Sequence, residues 1–366
     1  MVNKDFLKNA ATLKKEYSAI KSRVNATTHR GEELKEFLFN EIDKFDQPRF
    51  EIMSRLGEIS SKFDFTEKKL HKQEIIKLGF VEMFKEAPYY NRIINKPQGY
   101  AGDAEMMNII YRNAFEGETP FGMFLHKQAV LCGACQAVRN RREIMKEEIL
   151  KRPGGNILNL GAGSAMEIKD VLDVDLEHKY SFHALDHDIT SLKLTLSLID
   201  DSRLKYSIAN ALRIMNGHYL IITPRKKVLH FCHPQNDFNG MKKISSIFKY
   251  KISKLKTRYD FAYSVGLPDY IRDDSNPEKG ISGLTKNLFK LIKSGGSLIM
   301  GNFSDKNPLD IKFVMEYICD WNLIYRNKQQ LLDFTKAIPE EKIKGSPKIF
   351  EDKTGINMFL KIDKKI

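Results

Sequence analysis

Apolar residues recur at helical spacing through the first part of the chain. Glu32–Phe45 (EELKEFLFNEIDKF) and Glu67–Phe84 (EKKLHKQEIIKLGFVEMF) alternate charged and apolar positions with a period near 3.6, and glycine and proline are scarce before Pro88. Residues 1 to about 95 therefore read as helix. Asn95–Asp103 (NKPQGYAGD) breaks this pattern with Pro97, Gly99 and Gly102, which predicts a loop. A second helical stretch runs from about Glu105 to Leu150. It is interrupted near Gly117–Pro120, where Thr119 or the residues before it could cap the next helix.

The pattern changes at Pro153–Gly155. Asn156–Leu160 is short, apolar and bounded by glycines, as a buried strand is, and a helix follows from about Ala165 to Leu172. Tyr180–Leu185, Leu204–Ile208, Tyr259–Val265 and Gly296–Asn302 read as further strands, with helices across Ile189–Ile199 and Leu284–Lys293. Strands alternating with helices predict an α/β fold: a Rossmann-like, doubly wound, mainly parallel sheet. The expected division is a helical N-terminal region, 1–150, followed by an α/β domain, 151–366.

The 366 residues carry 60 Lys and Arg against 47 Asp and Glu, a formal charge of +13, with 42% hydrophobic residues. That composition excludes a disordered or collagen-like chain. No apolar run reaches the roughly 18–20 residues of a membrane helix, and the polar N-terminus lacks a signal core. Four cysteines fit a reducing compartment, so a soluble, cytoplasmic protein is expected. The basic residues are dispersed and lack an accompanying aromatic recognition motif, so no nucleic-acid partner is favoured.

The chemistry concentrates in Asn156–Glu167 (NILNLGAGSAME). Gly161 and Gly163 lie between a strand and a helix start, where a tight turn needs positive φ or close backbone approach. Alone, this pair is equally a structural turn. Asp186, however, closes the next strand, where a carboxylate can accept both ribose hydroxyls of a nucleoside. The third strand ends at Ala209–Asn210–Ala211, where a polar side chain can meet an adenine ring. Three consecutive strand ends carrying such residues point to a nucleoside-bearing ligand.

Together these segments resemble the class I S-adenosylmethionine-dependent methyltransferases. The resemblance rests on NLGAGSAME, FHALDHD, IANALR, YSVGLPDYI and KSGGSLIMGNFS, and spans about 155 to 305. It implies S-adenosyl-L-methionine as cofactor. It also implies a cofactor site at Asn159, Gly161, Ala162, Gly163 and Glu167 in the first motif, Asp186 and His187 in the second, Asn210 and Ala211 in the third, and Ser264 and Gly266 after the fourth strand. Asn159 departs from the acid many members carry there; an amide can still hydrogen-bond the methionine amine or a bridging water.

Three flanking segments are similar to a narrower bacterial group, the extracellular-factor 3-hydroxypalmitic acid methyl ester synthases. These are KPQGYAGDAEMM, GLPDYI and NFSDKNPLDIKFVMEYICDWNLIYR, which extend the resemblance to about 80–335 and leave the first 80 residues unplaced. This resemblance implies O-methylation of the carboxylate of a small acidic acceptor such as a hydroxy fatty acid. A carboxylate is already nucleophilic at neutral pH, so its methylation needs alignment and not a strong base. Arg326 is the candidate clamp for that carboxylate, against the alternative of a solvated surface arginine. Tyr100 and Asp103 are candidates to close over the cofactor, Asp103 being equally a helix cap. Tyr270 is a candidate acceptor contact or a packed core residue. An amine, hydroxyl or protein side chain as acceptor stays open, as does a catalytically silent cofactor-binding module.

Two further features carry less. Cys132 and Cys135 form C-x-x-C, but His230, Cys232 and His233 are a hundred residues away, so two buried helical residues explain the pair and no metal site is expected. Met241–Arg258 holds seven basic residues and no acid. Ile244, Ile247, Phe248, Ile252 and Leu255 fall at helical spacing, which predicts a covering helix, with peripheral membrane contact as the alternative.

Overall fold

The structure is a computed structural model that describes residues 2–224, 250–256 and 259–366. The chain forms two compact units. One comprises Met1–Arg139, Lys306–Leu323 and Thr354–Ile356; the other comprises Asn140–Asp305, Ile324–Lys353 and Asn357–Ile366. A single sequence boundary near 150 thus differs from the observed division, in which two later segments return to the helical unit.

The helical unit is built from α1 (Lys4–Asn25), α2 (Gly31–Ser60), α3 (Phe65–Lys77), α4 (Phe80–Phe84), α5 (Pro88–Asn95), α6 (Ala104–Arg112), α7 (Pro120–Leu131) and the start of α8 (Gly133–Leu150). Phe6, Ala10, Leu13, Tyr17, Ile20 and Val24 form the buried stripe of α1 at spacings of three and four. Asn3 caps this helix by accepting from Phe6 N. The stretch expected to run to Phe84 stops at Lys77 because Gly79 turns left-handed (φ +74°). Asp64 and Glu67 close a reciprocal capping box on α3, and Thr119 accepts from Gly122 N ahead of Pro120, as expected. Tyr17 is wedged edge-on between Phe45 and Phe84, with ring centroids 4.9 and 5.2 Å away.

Among its described residues the sheet unit holds nine strands: β1 (Gly155–Leu160), β2 (Tyr180–Asp186), β3 (Leu204–Ile208), β4 (Leu220–Pro224), β5 (Tyr250–Lys254), β6 (Tyr259–Ser264), β7 (Ile292–Phe303), β8 (Lys348–Glu351) and β9 (Asn357–Asp363). Their order is β5-β4-β3-β2-β1-β6-β7-β9-β8. The central five, β3-β2-β1-β6-β7, are parallel; β4, β5 and β9 each pair antiparallel with their neighbours. Both faces are covered. Met145 and Ile149 of α8 join Ile168, Val171 and Leu172 of α9 (Met166–Val174) and Leu192 of α10 (Ile189–Leu198) on one face. Leu284, Leu288 and Phe289 of helix Gly280–Lys290 cover the other with Leu331 and Phe334. The fold class is the expected one: a Rossmann-like, mainly parallel α/β sheet, with a helical N-terminal region present.

The sequence pattern did not predict β4, β5, β8 or β9. Tyr250–Lys254 lies inside the expected basic helix, yet it pairs with Leu220–Pro224, Ile252 facing Ile222 across the ladder. Ile252 is 60% exposed and Leu255 buried, so the two do not share an apolar helix face. Positions 241–249 and 257–258 of that stretch, and His230, Cys232 and His233, lie outside the described residues.

Close backbone approach fixes one helix crossing. A Cβ built on Gly57 of α2 would overlap the carbonyl oxygen of Leu309 and stand 2.8 Å from its Cβ. Gly57→Ala should therefore destabilise the chain by about 1–3 kcal/mol in denaturant unfolding; a change below about 0.5 kcal/mol would show that the helices part freely.

Candidate functional site

The strand order reverses direction at β1, with β2 on one side and β6 on the other. In open parallel sheets, the carboxyl ends flanking such a switch point leave a crevice for ligands. Here the crevice edge is formed by the Gly161–Ala165 turn after β1, by Asp186 at the end of β2 and by Val265–Tyr270 after β6.

The turn after β1 has φ values of +75°, +54° and +52° at Gly161, Gly163 and Ala165. Gly161 and Ala162 both donate N–H to Leu185 O, at 2.8 and 3.1 Å. A Cβ on Gly161 would meet Leu267 Cβ at 3.0 Å. Gly163 is held on both sides of its peptide units. Its N–H donates to Asp186 Oδ2 at 2.8 Å, and its carbonyl accepts from Thr195 Oγ1 at 2.8 Å and Tyr206 OH at 3.2 Å. The other Asp186 oxygen accepts from Asp188 N at 3.1 Å and keeps His187 Nδ1 within 3.3 Å, which holds the imidazole above its ordinary range. A carboxylate has about four lone-pair sites, so this geometry leaves acceptor capacity for hydroxyl groups.

Beneath the turn, Asn159 Nδ2 and Tyr263 OH both donate to Glu167 Oε1, at 2.8 and 2.9 Å. Burial raises the Glu167 carboxyl above its ordinary range. Asn159 thus reaches the acid supplied by the following helix. Ser264 Oγ donates to Leu160 O at 2.8 Å and locks the ends of β6 and β1 together. Gly266 leaves room for Arg141, whose Nη1 donates to Val265 O at 2.8 Å.

Several expected site residues are therefore brought together on one sheet edge: Asn159, Gly161, Ala162, Gly163, Glu167, Asp186, His187, Ser264 and Gly266. Asn210 stands at the end of β3, but its side-chain oxygen accepts from Leu212 N and Arg213 N and caps the short helix beginning at Ala211. Its role as an adenine acceptor through that oxygen is thereby taken by the cap. Tyr270 is 40% exposed at the end of a short 3-10 turn, so it is not packed core. Tyr100 and Asp103 belong to the helical unit. Asp103 Oδ1 accepts from Met106 N at 2.8 Å and Arg92 Nε at 2.7 Å, the cap geometry, while buried Oδ2 has no partner.

The carboxylate clamp at Arg326 is corrected by the structure. Arg326 is fully buried, and all five N–H groups are committed within the sheet unit. Nη1 donates to Pro268 O and Asn302 Oδ1, Nη2 to Ile271 O and Asp273 Oδ2, and Nε to Asp273 Oδ2. It is a staple for the segment after β6. The C-terminal sequence pattern could not disclose that three acceptors come from residues more than 50 positions away.

Asp269 gains weight from the same segment. It is buried, accepts from Phe303 N at 2.7 Å, and burial pushes its carboxyl up to about 7. Tyr263, Thr195 and Tyr206 were absent from the expected set. Their only sequence signal is a hydroxyl on an otherwise apolar strand or helix face.

No protein-family model matches the chain, and no curated protein matches it. Among solved structures it is similar to a possible exported protein from Bordetella parapertussis, at 14% identity over 87% of this chain and 97% of that one, with a TM-score of 0.55. It is also similar to an O-methyltransferase family protein from Burkholderia thailandensis (11% identity, 65% and 62% covered, TM-score 0.39). A third is a SAM-dependent methyltransferase from Methanosarcina mazei (15% identity, 61% and 97% covered, TM-score 0.36). The likeness to the Bordetella protein is one of fold.

Two measurements check these assignments. Arg326→Ala leaves several buried acceptors without a donor and should cost about 3–5 kcal/mol in urea unfolding. Unchanged stability would return Arg326 to the ligand candidates. For Asp269, a raised folded value means that the folded chain holds the proton more tightly than the unfolded one. Its contribution is full below the ordinary carboxyl value and is lost as pH rises through about 7. Asp269→Asn should flatten this part of the stability profile, gaining on the order of 1 kcal/mol or more over the parent at pH 8 relative to pH 4. Parallel profiles for the two proteins would place the titration elsewhere.

Proposed function

We propose that the chain is an S-adenosylmethionine-dependent methyltransferase acting on a small acidic acceptor, most simply the carboxylate of an acyl or hydroxyacyl metabolite. The observation that carries the reading is the glycine turn after β1, held by Asp186 at the parallel-sheet switch point, with Glu167 and Asn159 beneath it. Asp186 would accept the ribose hydroxyls, and Asn159 with Glu167 would lie at the methionine end. The cofactor supplies an electrophilic methyl on a sulfonium. The chain's task is to orient the two partners in line and exclude water. A carboxylate acceptor would need no proton removed to take that methyl.

The acyl carboxylate is supported by the resemblance of the GYAGD, GLPDY and C-terminal segments; Arg326, being committed elsewhere, adds nothing to it. Asp269 favours a second reading. A buried carboxyl at the β6 end that titrates near neutral could take the proton of a hydroxyl or amine acceptor. Among the described residues no helix is long and apolar enough to cross a membrane. A cytoplasmic site of action remains part of the proposal, and peripheral membrane contact through 241–258 does not gain support from the strand at 250–254.

Incubation with methyl-labelled S-adenosylmethionine and cell extract tests the reading. A base-labile label on a small acid is the expected product; a base-stable label favours the hydroxyl or amine acceptor. In calorimetry, Asp186→Ala should weaken cofactor binding by roughly 1–3 kcal/mol. Binding without label transfer to any extract would leave a silent module, and absence of binding by the parent chain would overturn the proposal.

A further inference from the structure

Cys132 closes one helix and opens the next. α7 ends at Leu131 and α8 starts at Gly133, with Cys132 extended between them (φ −60°, ψ 157°). The pair expected to lie inside one continuous helix is therefore placed differently. Cys132 caps an 18-residue helix, and Cys135 is the third residue within it. The Cys135 thiol, with the first-turn N–H groups of Ala134 and Cys135, is near enough to the Cys132 sulfur to hold its thiol below the ordinary range, the Cys135 thiol leading. Arg49 adds positive charge from the same helical unit. Cys135 is 1% exposed and lies 3.3 Å from Tyr89 OH, whereas Cys132 is half-buried. One sulfur is thus the more exposed and the other the more buried member of the pair.

We infer that Cys132 and Cys135 form a redox-active dithiol that exchanges with disulfides of the small-thiol class. The inference stands apart from the methyl-transfer reading. Converging hydrogen bonds and a helix N-terminus stabilise a thiolate, which is the attacking species in exchange. The hydrogen bond from Cys135 leads in holding the Cys132 thiol below its ordinary range, while burial drives Cys135 well above. In the first step the Cys132 thiolate attacks one sulfur of the external disulfide and expels one equivalent of external thiolate. Cys135, losing its proton, then attacks Cys132 and expels the second. Two protein thiols become one disulfide, the external disulfide becomes two thiols, and two electrons pass outward. Spacing within one helical turn suits closure of the bond. Among the described residues no group of three or more His, Cys, Asp or Glu could hold a metal. Buried Cys319, its thiol driven up by burial, is an internal control.

The test uses the full chain equilibrated in reduced and oxidised glutathione mixtures, followed by acid quench, alkylation and peptide mass mapping. A Cys132–Cys135 cross-linked peptide with a single midpoint is expected. Native Cys132 should also alkylate at least about tenfold faster than Cys319. Cys135→Ala and Cys135→Ser should each accumulate glutathione on Cys132; using both guards against one variant failing to fold, which circular dichroism checks. Cys132→Ser should leave Cys135 unmodified. Absence of the cross-link in fully oxidised glutathione, or glutathione addition to Cys135 in the absence of Cys132, would overturn the inference.

Discussion

The peptide groups on either side of Gly163 hold the candidate site in shape. The N–H is fixed by a carboxylate at the end of β2, and the carbonyl is fixed by hydroxyls from α10 and β3. A turn with three left-handed residues would otherwise be a costly and loose connection. Because these bonds come from the neighbouring strand and its helix, the turn's shape is a property of the packed sheet. A ligand meeting Asp186 would meet an acid whose position is already set by that same turn.

A second theme is how the sheet unit handles buried polarity. Glu167 is shielded by burial but receives donors from β1 and β6. His183 bridges Tyr259 OH at 2.7 Å and Ser207 Oγ at 2.9 Å, and Ser207 continues to Thr223, so one polar chain threads an otherwise apolar face. Such networks are stable only when their members are satisfied, and they then specify register. Arg326 follows the same rule. A guanidinium with no exposure survives because carbonyls, an amide and a carboxylate surround it. Its charge organises the segment carrying Asp269 and Tyr270.

The helical unit carries polarity of another kind. His71 is fully buried yet its ring nitrogens are both occupied, by Asn3 N and Glu67 O, so it is a structural histidine stacked on Phe63. Asp103 is likewise engaged as a cap. The cysteine pair differs in placement: Cys132 is half-buried at the junction of α7 and α8, while Cys135 is buried within α8.

Much of the sheet unit was legible in the sequence. Short apolar runs marked β1, β2, β3 and β6 to within a residue or so, the first of them bounded by glycines, since strand burial and turn geometry are local demands. The glycine turn and Asp186 were legible for the same reason. β4, β5, β8 and β9 were not, because an antiparallel strand added to an edge is selected by its partner and not by its own five or so residues. Arg326 and Cys132 show the remaining limit. An arginine in a polar tail looks solvated until distant carbonyls fold around it, and a C-x-x-C looks like two residues of one helix until the chain breaks between α7 and α8. Sequence determined which residues could be strand, turn and cap; only tertiary packing decided which polar groups have every bond filled and which converge on something left to react.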